Sequence, residues 1–389
     1  LPPSELIRAI LRAPVDLLWS GGIGTFVKAK SESHADVGDR ANDAIRLNGS
    51  ELRCAVVGEG GNLGLTQLGR IEYALNGGRI NTDFVDNSGG VDCSDHEVNI
   101  KILLDGIVAN GDMTTKQRNQ LLAKMADEVC DHVLQHNRHR AQAISIVEVQ
   151  GRKLADEQHR FMRSFERDGL LDRSLEFLPD DEMLAERQTE GRGLLRPELS
   201  VLMAYSAIVL YQQLLDSDIA DDPYFAKELQ NYFPAALRKR FAKEMVQHRL
   251  RREIVTTQVT NSMINRVGVT FVHRLREETG AHPSEIARSY TAVREVFDLR
   301  DIWYQLEAQQ ARTSAVQDLD LFVATSELME RATLWFLRRQ KQPLSPEEAV
   351  QRFSPGVSSP MPGSPLFFLL LSPFLLSPFF SSSFSSVFS

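Results

Sequence analysis

The chain has 389 residues, a formal net charge of −8, 42% hydrophobic residues and 25% charged residues. This composition excludes wholesale disorder and allows a sizeable core in about two to three domains. The acidic balance argues against a nucleic-acid binder, and three cysteines are too few for a disulfide framework, which indicates a reducing compartment such as the cytoplasm. The chain begins Leu1-Pro2-Pro3 without a methionine or a secretory signal, so we expect a piece of a longer protein.

Residues 1–112 alternate short apolar runs with helical patterns and glycine-rich loops. The patterns predict strands and helices in the order strand 15–19, helix 35–47, strand 54–57, helix 66–75 and strand 79–85. This order predicts an α/β fold with a parallel sheet. The glycines follow the carboxyl ends of the strands, where such sheets bind ligands. From the loops alone, a ligand site and simple tight turns explain the glycines equally well.

Further along the chain the pattern becomes helical. Capping boxes at Ser94-x-x-Glu97 and Thr114-x-x-Gln117 predict helices that reach about residues 108 and 134,. A charged helix is predicted over 143–168 and an irregular acidic connector over 169–192, whereas apolar stripes predict helices throughout 196–353,. The predicted domains are 1–112, 113–195, 196–353 and a tail, 354–389.

The tail 354–389 has no charged residue and consists mainly of Ser, Pro, Phe and Leu. A capping box over 345–348 starts a helix that should continue beyond Phe353, yet the composition changes abruptly there,. Ser and Pro interrupt the apolar run, so it lacks the ~20 continuous apolar residues of a membrane span. We expect a frame change or assembly error, and a tail that is disordered and without function.

The sequence contains no P-loop, no G-x-S-x-G and no H-E-x-x-H,. Gly58-x-Gly60 lacks the third glycine of a dinucleotide fingerprint, since Leu63 occupies that position. If residues 1–112 are half of a Rossmann domain, the dinucleotide fingerprint is expected upstream of residue 1.

Two further patterns are better explained as solvated helix faces. His132, His136 and His139 have helical spacing, but no cysteine or carboxylate pattern completes a metal site, so no metal is expected,. The basic stretch 238–252 has helical spacing on an acidic chain, which favours a solvated face over a nucleic-acid surface,.

The informative segment runs from Glu59 to Glu97. It reads Glu59-Gly60-Gly61-Asn62, then Asn87-Ser88-Gly89-Gly90-Val91, then Ser94-x-x-Glu97. This resembles the glutamate dehydrogenase family, in which E-G-A-N ends one strand and N-A-G-G-V-x-x-S-x-x-E follows the next. Longer strings are similar to the large NAD-specific bacterial branch of that family, over about residues 1–353: LLWSGGIGT, EGGNLGLTQLGR, DNSGGVDCSDHEVNIK, RPELSVLMAY and HRLRREIVTTQVTN.

The resemblance implies the C-terminal half of a Rossmann-like nucleotide-binding domain, with NAD as cofactor, followed by a helical region. It implies these cofactor-binding residues: Gly21, Gly22, Glu59, Gly60, Gly61, Asn62 and Asn87. Asn62 would lie beside the nicotinamide ribose, and Asn87 would reach the nicotinamide amide. Without the resemblance, we would assign both asparagines to left-handed turns.

The resemblance also implies a substrate site formed by Gly90, Val91 and Ser94. Ser94 would contact the side-chain carboxylate of glutamate, and we expect it also to cap a helix, since the two roles are compatible.

The implied reaction is oxidative deamination of L-glutamate to 2-oxoglutarate and ammonia. The family's catalytic lysine and aspartate lie in a preceding domain, and neither Lys28 nor Lys101 has that lysine's sequence context. We therefore expect no catalytic residue here and an inactive isolated chain. Two alternatives remain open: a non-catalytic oligomerisation or regulatory module, and a related amino-acid dehydrogenase with another substrate. The expected partners are a homo-oligomer in the full-length protein, with neither nucleic acid nor membrane.

Overall fold

The computed structural model describes residues 2–309 and 315–357. Its strands are β1 Leu17–Ser20, β2 Val27–Lys28, β3 Leu47–Asn48 and β4 Val56–Glu59. The helices of the first half are α1 Pro3–Leu11, α2 His34–Val37, α3 Gln67–Leu75, α4 Asp83–Asp86, α5 Ser88–Ala109, α6 Thr115–Val149, α7 Gly151–Arg167 and α8 Asp181–Thr189. The later helices are α9 Arg196–Leu215, α10 Ala226–Tyr232, α11 Ala235–Arg238, α12 Ala242–Val246, α13 Arg251–Val267, α14 Phe271–Thr279, α15 Pro283–Val296, α16 Leu299–Gln309, α17 Ala315–Arg339 and α18 Pro346–Val357.

The chain divides into two compact units. The first comprises the chain up to Ile208 together with Gln230–Leu250, and the second comprises Val209–Leu229 and the chain from Arg251 onward. The boundaries predicted at residues 112 and 195 both fall inside the first unit, so they remain predictions about domain organisation. The second unit is helical in its described residues, as the apolar stripes predict.

The strands form two small parallel sheets in the first unit. β1 pairs with β4 from Leu17↔Val56 to Ser20↔Glu59, and β2 pairs with β3. The two strands predicted at 15–19 and 54–57, and their parallel arrangement, are thus confirmed, with boundaries one or two residues further along the chain. A core packs beneath them: Val27, Leu47, Leu52, Cys54, Val57, Leu65, Tyr73 and Ile80.

Two predicted elements of this region are wrong. The strand at 79–85 is reduced to a single bridge, Val56↔Arg79, and Asp83–Asp86 is helical. The side chains of Asp83 and Asp86 accept hydrogen bonds from the backbone N–H groups of Leu63 and Glu59. An extended strand would not place both aspartate side chains against that loop. The helix at 35–47 shrinks to α2, because Gly38 takes a left-handed φ of 74° and terminates it,.

In the next part of the chain helices form where they are predicted, but their boundaries differ from the predicted ones. α5 begins at Ser88, so the start predicted at Ser94 is wrong. The capping box at Thr114 is confirmed, with its side chain accepting from the Gln117 backbone, but α6 continues to Val149. The supposed connector 169–192 contains α8, whose N-cap is Asp180.

At the other end, α18 continues through Pro355 to Val357, so the first four residues assigned to the tail are helical. The prediction of disorder beyond Val357 lies outside the described residues. Among the residues that the structure describes, one helix, α9, has the length and apolar composition to cross a membrane. Half of its apolar window is buried, and a core helix of a globular protein passes the same test.

Candidate functional site

The loops after β1 and β4 meet at the carboxyl ends of the two parallel strands. The Gly61 N–H donates to the Ser20 carbonyl oxygen at 2.9 Å. A Cβ atom at Gly61 would overlap the Gly22 carbonyl oxygen, and one at Gly60 would overlap the Trp19 ring. Only glycine therefore permits this close approach, which brings the predicted residues 21–22 and 60–61 together.

The loop after β4 also reaches the start of α5. The Asn87 Nδ2 atom donates to the Asn62 Oδ1 atom, so the two asparagines predicted to bind the cofactor are in contact. Each side-chain amide offers both donors and an acceptor, which suits recognition of a carboxamide or of sugar hydroxyls. The structure thus joins residues 25 positions apart in sequence.

Two aspartates of α4 hold this loop in place. The Leu63 N–H donates to Asp83 Oδ2 at 2.7 Å, and the Glu59 N–H donates to Asp86 Oδ2 at 3.0 Å. Leu63 takes a left-handed φ of 59°. This position is where a dinucleotide fingerprint would have its third glycine, so the backbone keeps a conformation that glycine favours although the residue is leucine.

Glu59 is placed differently from the other predicted cofactor residues. Its carboxylate is 0% exposed and accepts from Arg70 Nε at 2.6 Å and from Arg70 Nη2 at 3.0 Å. It also accepts from the Leu65 N–H at 3.1 Å. Burial raises the pKa of Glu59, and the Arg70 guanidinium opposes that rise. The carboxylate is thus engaged inside the first unit and does not reach the surface shared by the asparagines.

The predicted substrate residues lie in the first two turns of α5. Ser94 Oγ donates to the Gly90 carbonyl oxygen at 3.3 Å, as expected for residues four apart in a helix,. Ser94 therefore lies within the helix and is not its N-cap. Gly90 is exposed and close to Asn87, since a Cβ atom on it would lie 3.4 Å from Asn87 Oδ1. Val91 is 68% exposed on the same turn.

The two lysines near the loops have other partners. Lys28 is buried, and its Nζ atom donates to the Ala29 carbonyl oxygen at 3.0 Å and to Asn48 Oδ1 at 2.7 Å. Lys101 is exposed and pairs with Glu97 one helical turn away.

Sequence reasoning missed three residues that shape this site: Arg70, Asp83 and Asp86. Asp83 and Asp86 stand at the end of a predicted strand, where an aspartate pair is unusual. Because aspartate is rare in strands, this pair is the signal in the sequence that could have identified the two residues. The spacing between Glu59 and Arg70 gave none.

Two family sequence models match this chain. One is described as "Bacterial NAD-glutamate dehydrogenase, catalytic domain" and covers residues 1–147. The other is described as "Glutamate dehydrogenase, C-terminal" and covers residues 191–364.

Curated relatives agree with the family models. The NAD-specific glutamate dehydrogenase of Pseudomonas aeruginosa is 52% identical over 92% of this chain, and that of Halomonas elongata is 49% identical over 91%. The Mycobacterium tuberculosis protein of the same name is 44% identical over 93%. In each case the chain spans only 22% of the relative's length. The chain therefore belongs to the family of bacterial NAD-specific glutamate dehydrogenases and corresponds to about a fifth of such a protein.

Proposed function

We propose that this chain is a segment of an enzyme that oxidatively deaminates L-glutamate to 2-oxoglutarate and ammonia with NAD as cofactor. The observation that carries the proposal is the contact between Asn62 and Asn87 beside the exposed turn of Gly90 and Ser94. Amide groups that can orient a nicotinamide and a hydroxyl that can reach a carboxylate are thus neighbours. The names of the relatives support both the cofactor and the substrate.

The loop geometry fits a dinucleotide. A Cβ atom at Gly22 would meet open space, whereas Gly61 is in tight contact with the Gly22 backbone, so the backbone is accessible on one side and fixed on the other. Bound NAD would supply the acceptor for the hydride that leaves the substrate α-carbon. In this chain Asn62 and Asn87 orient the nicotinamide end, the glycines at 21–22 and 60–61 permit close approach to the backbone, and Ser94 holds the substrate side-chain carboxylate.

The small parallel sheet is proposed to be the C-terminal half of a Rossmann-like domain. β1 presents apolar side chains to solvent, with Leu17 54% and Trp19 60% exposed. α1, just before it, exposes Leu6 and Ile10. Apolar surface on this scale normally lies against another part of the protein. A preceding portion of the parent enzyme is proposed to cover it and to supply the catalytic lysine, so the isolated chain is inactive.

The three free cysteines are consistent with a cytoplasmic enzyme. Cys54 is buried beside Tyr73, whereas Cys93 and Cys130 are exposed and unbridged. A reducing compartment keeps such thiols free. Assembly into a homo-oligomer is proposed for the parent enzyme alone.

Substitution of Ser94 tests the substrate assignment in the parent enzyme. Ser94→Ala removes a hydroxyl donor to a carboxylate, which is worth about 1.5–3 kcal/mol, so the KM for glutamate should rise about 10- to 100-fold. The KM for NAD should change little. Ser164→Ala on α7, whose hydroxyl accepts from Arg167, is the control and should leave both constants unchanged. An unchanged KM for glutamate in Ser94→Ala would contradict the assignment.

The isolated 389-residue chain tests the second part of the proposal. Glutamate-dependent formation of NADH should be absent with the chain alone and present with the parent enzyme under the same conditions. Sustained turnover by the chain alone would show that the catalytic groups lie within it.

A further inference from the structure

Four titratable side chains face one another between α5 and α6. Asp92 and His96 lie one turn apart on α5, and His132 and His136 lie one turn apart on α6, which packs against it. The sequence pattern shows only the histidines of α6 and no carboxylate to accompany them. The packing of α5 supplies both the carboxylate and a further imidazole.

Three of these residues are close enough to share one ion. His136 Nδ1 lies 2.8 Å from Asp92 Oδ2, and His96 Nε2 lies 4.0 Å from Asp92 Oδ1. One ligand atom from each of Asp92, His96 and His136 lies within 4.8 Å of the other two. The His132 ring is adjacent, with its centroid 5.9 Å from that of His96 and 6.5 Å from that of His136.

His96 is the observation that points to a ligand. Its side chain is 1% exposed, and neither Nδ1 nor Nε2 has a hydrogen-bond partner among the described residues. Buried polar atoms are nearly always satisfied, so two orphaned nitrogens on one ring require an explanation. The ring is also fixed in place, because Tyr232 stacks on it at 4.5 Å with 18° between the planes.

The protonation states suit a cation. Burial lowers the pKa of both His96 and His132, which favours the neutral imidazole, in which one ring nitrogen is unprotonated,. Burial acts to raise the pKa of Asp92, but the hydrogen bond from His136 and the neighbouring positive charges together lower it below its ordinary value. Neutral imidazole and ionised carboxylate are the forms that bind metals.

We propose that Asp92, His96 and His136 bind a divalent transition metal of the zinc type. Two imidazoles and a carboxylate are a common ligand set for zinc. Tetrahedral bonds of about 2.0–2.1 Å place ligand atoms about 3.3 Å apart, so Asp92 and His136 have to rotate slightly around the fixed His96 ring to bind the ion,. The ion would clamp α5 to α6, and thereby fix the helix that carries Gly90, Val91 and Ser94. The site stands on the geometry of the first unit, independently of the reaction proposed above.

The test uses the full 389-residue chain without a polyhistidine tag, stripped with a chelator. Cys93 and Cys130 are changed to serine so that their exposed thiols bind no zinc. Calorimetric titration with Zn²⁺ should give one equivalent per chain, and Co²⁺ should give the visible absorption of a tetrahedral nitrogen–oxygen site. Each of His96→Ala and His136→Asn should weaken binding by more than the ~10- to 100-fold typical of losing an outer-shell partner.

His136→Asn should disturb the fold less than His96→Ala, since the His136 side chain is 29% exposed whereas His96 is buried. The matched control is His159→Asn, because His159 Nε2 also lies 2.7 Å from a carboxylate, that of Asp181. The control should bind Zn²⁺ like the parent chain. Absence of stoichiometric binding, or equal affinity in His136→Asn and His159→Asn when both have unchanged circular dichroism, would overturn the proposal.

Discussion

The side-chain amide of Asn87 donates a hydrogen bond to the side-chain oxygen of Asn62, and this contact joins the loop after β4 to the start of α5. Both residues lie beside the glycine loops that follow β1 and β4. The two amides therefore form one polar surface, and each depends on the other for its orientation.

Loss of either asparagine should weaken NAD binding in the parent enzyme. Each of Asn62→Ala and Asn87→Ala removes a hydrogen bond worth about 0.5–1.5 kcal/mol, so the KM for NAD should rise up to about tenfold. The double variant should lose less than the sum of the two, because the partners act as a unit. Asn76→Ala at the end of α3 is the control. Strictly additive effects of the two substitutions on the KM for NAD would show that the two asparagines act independently, which would contradict this prediction.

The two glycine loops should respond very differently to a single methyl group. Gly61→Ala should destabilise the chain by about 1–3 kcal/mol, because the new Cβ overlaps a backbone oxygen that cannot rotate away,. Gly22→Ala, with open space at the same site, should stay within about 0.5 kcal/mol of the parent chain,. Urea unfolding of both variants measures the difference. Equal stabilities would show that the loops do not meet as described.

The buried pair of Glu59 and Arg70 should dominate the stability of the sheet region. Arg70→Met leaves the Glu59 carboxylate buried without its cation, at a cost of about 3–5 kcal/mol,. Glu59→Gln should cost less, because Arg70 keeps Asp83 at 3.4 Å as a second partner. Chemical unfolding checks the order of the two variants. A larger loss in Glu59→Gln than in Arg70→Met would refute this account.

Glu228 should control the acid stability of the second unit. Burial would raise the pKa of Glu228, but the charges of Arg294 and Arg300 lower it from 4.5 to about 2. The folded state therefore binds fewer protons than the unfolded state between these values. The stabilisation that the ionised Glu228 gains from the two arginines is fully present above pH 4.5 and is lost as the pH falls towards 2,.

Glu228→Gln should remove this acid-sensitive contribution. It leaves the buried Arg294 with a weaker partner, so the chain should lose about 3–5 kcal/mol at pH 7 and lose less on acidification than the parent chain,. Glu347→Gln, exposed on α18, is the control. Thermal unfolding from pH 7 to pH 3 compares the three proteins. Parallel pH profiles of the parent chain and Glu228→Gln would contradict the lowered pKa.

Local pattern was sufficient for several elements of this chain. The apolar runs at β1 and β4 predict strands, because adjacent residues decide that preference. The burial predicted for β1 is wrong, since Leu17 is 54% and Trp19 60% exposed. The helix capped by Thr66 is confirmed, since Thr66 accepts from the Gly69 backbone. Gly77 ends that helix with a φ of 90°, as a terminal glycine should,. The motif strings were sufficient for the family, because long shared strings at fixed spacing rarely recur by chance.

Tertiary contacts changed the elements around the site. Arg79 to Val85 has the composition of a strand, but Asp83 and Asp86 accept hydrogen bonds from the loop after β4, and the chain turns into a helix. Ser94 and Glu97 satisfy the capping-box pattern, yet α5 starts at Ser88. A capping pattern needs a free helix end, and whether one exists there depends on the preceding chain.

The sequence by itself determined the class of the chain, its loops, its helical later part and its family, because composition and short-range spacing carry that information. Only the tertiary structure decided that Asn62 meets Asn87, that the Glu59 carboxylate turns inward to Arg70, and that His96 lies beside His136. The partners of these pairs are 25, 11 and 40 positions apart in the sequence. Their approach follows from how strands and helices pack, and no local preference of either partner encodes it.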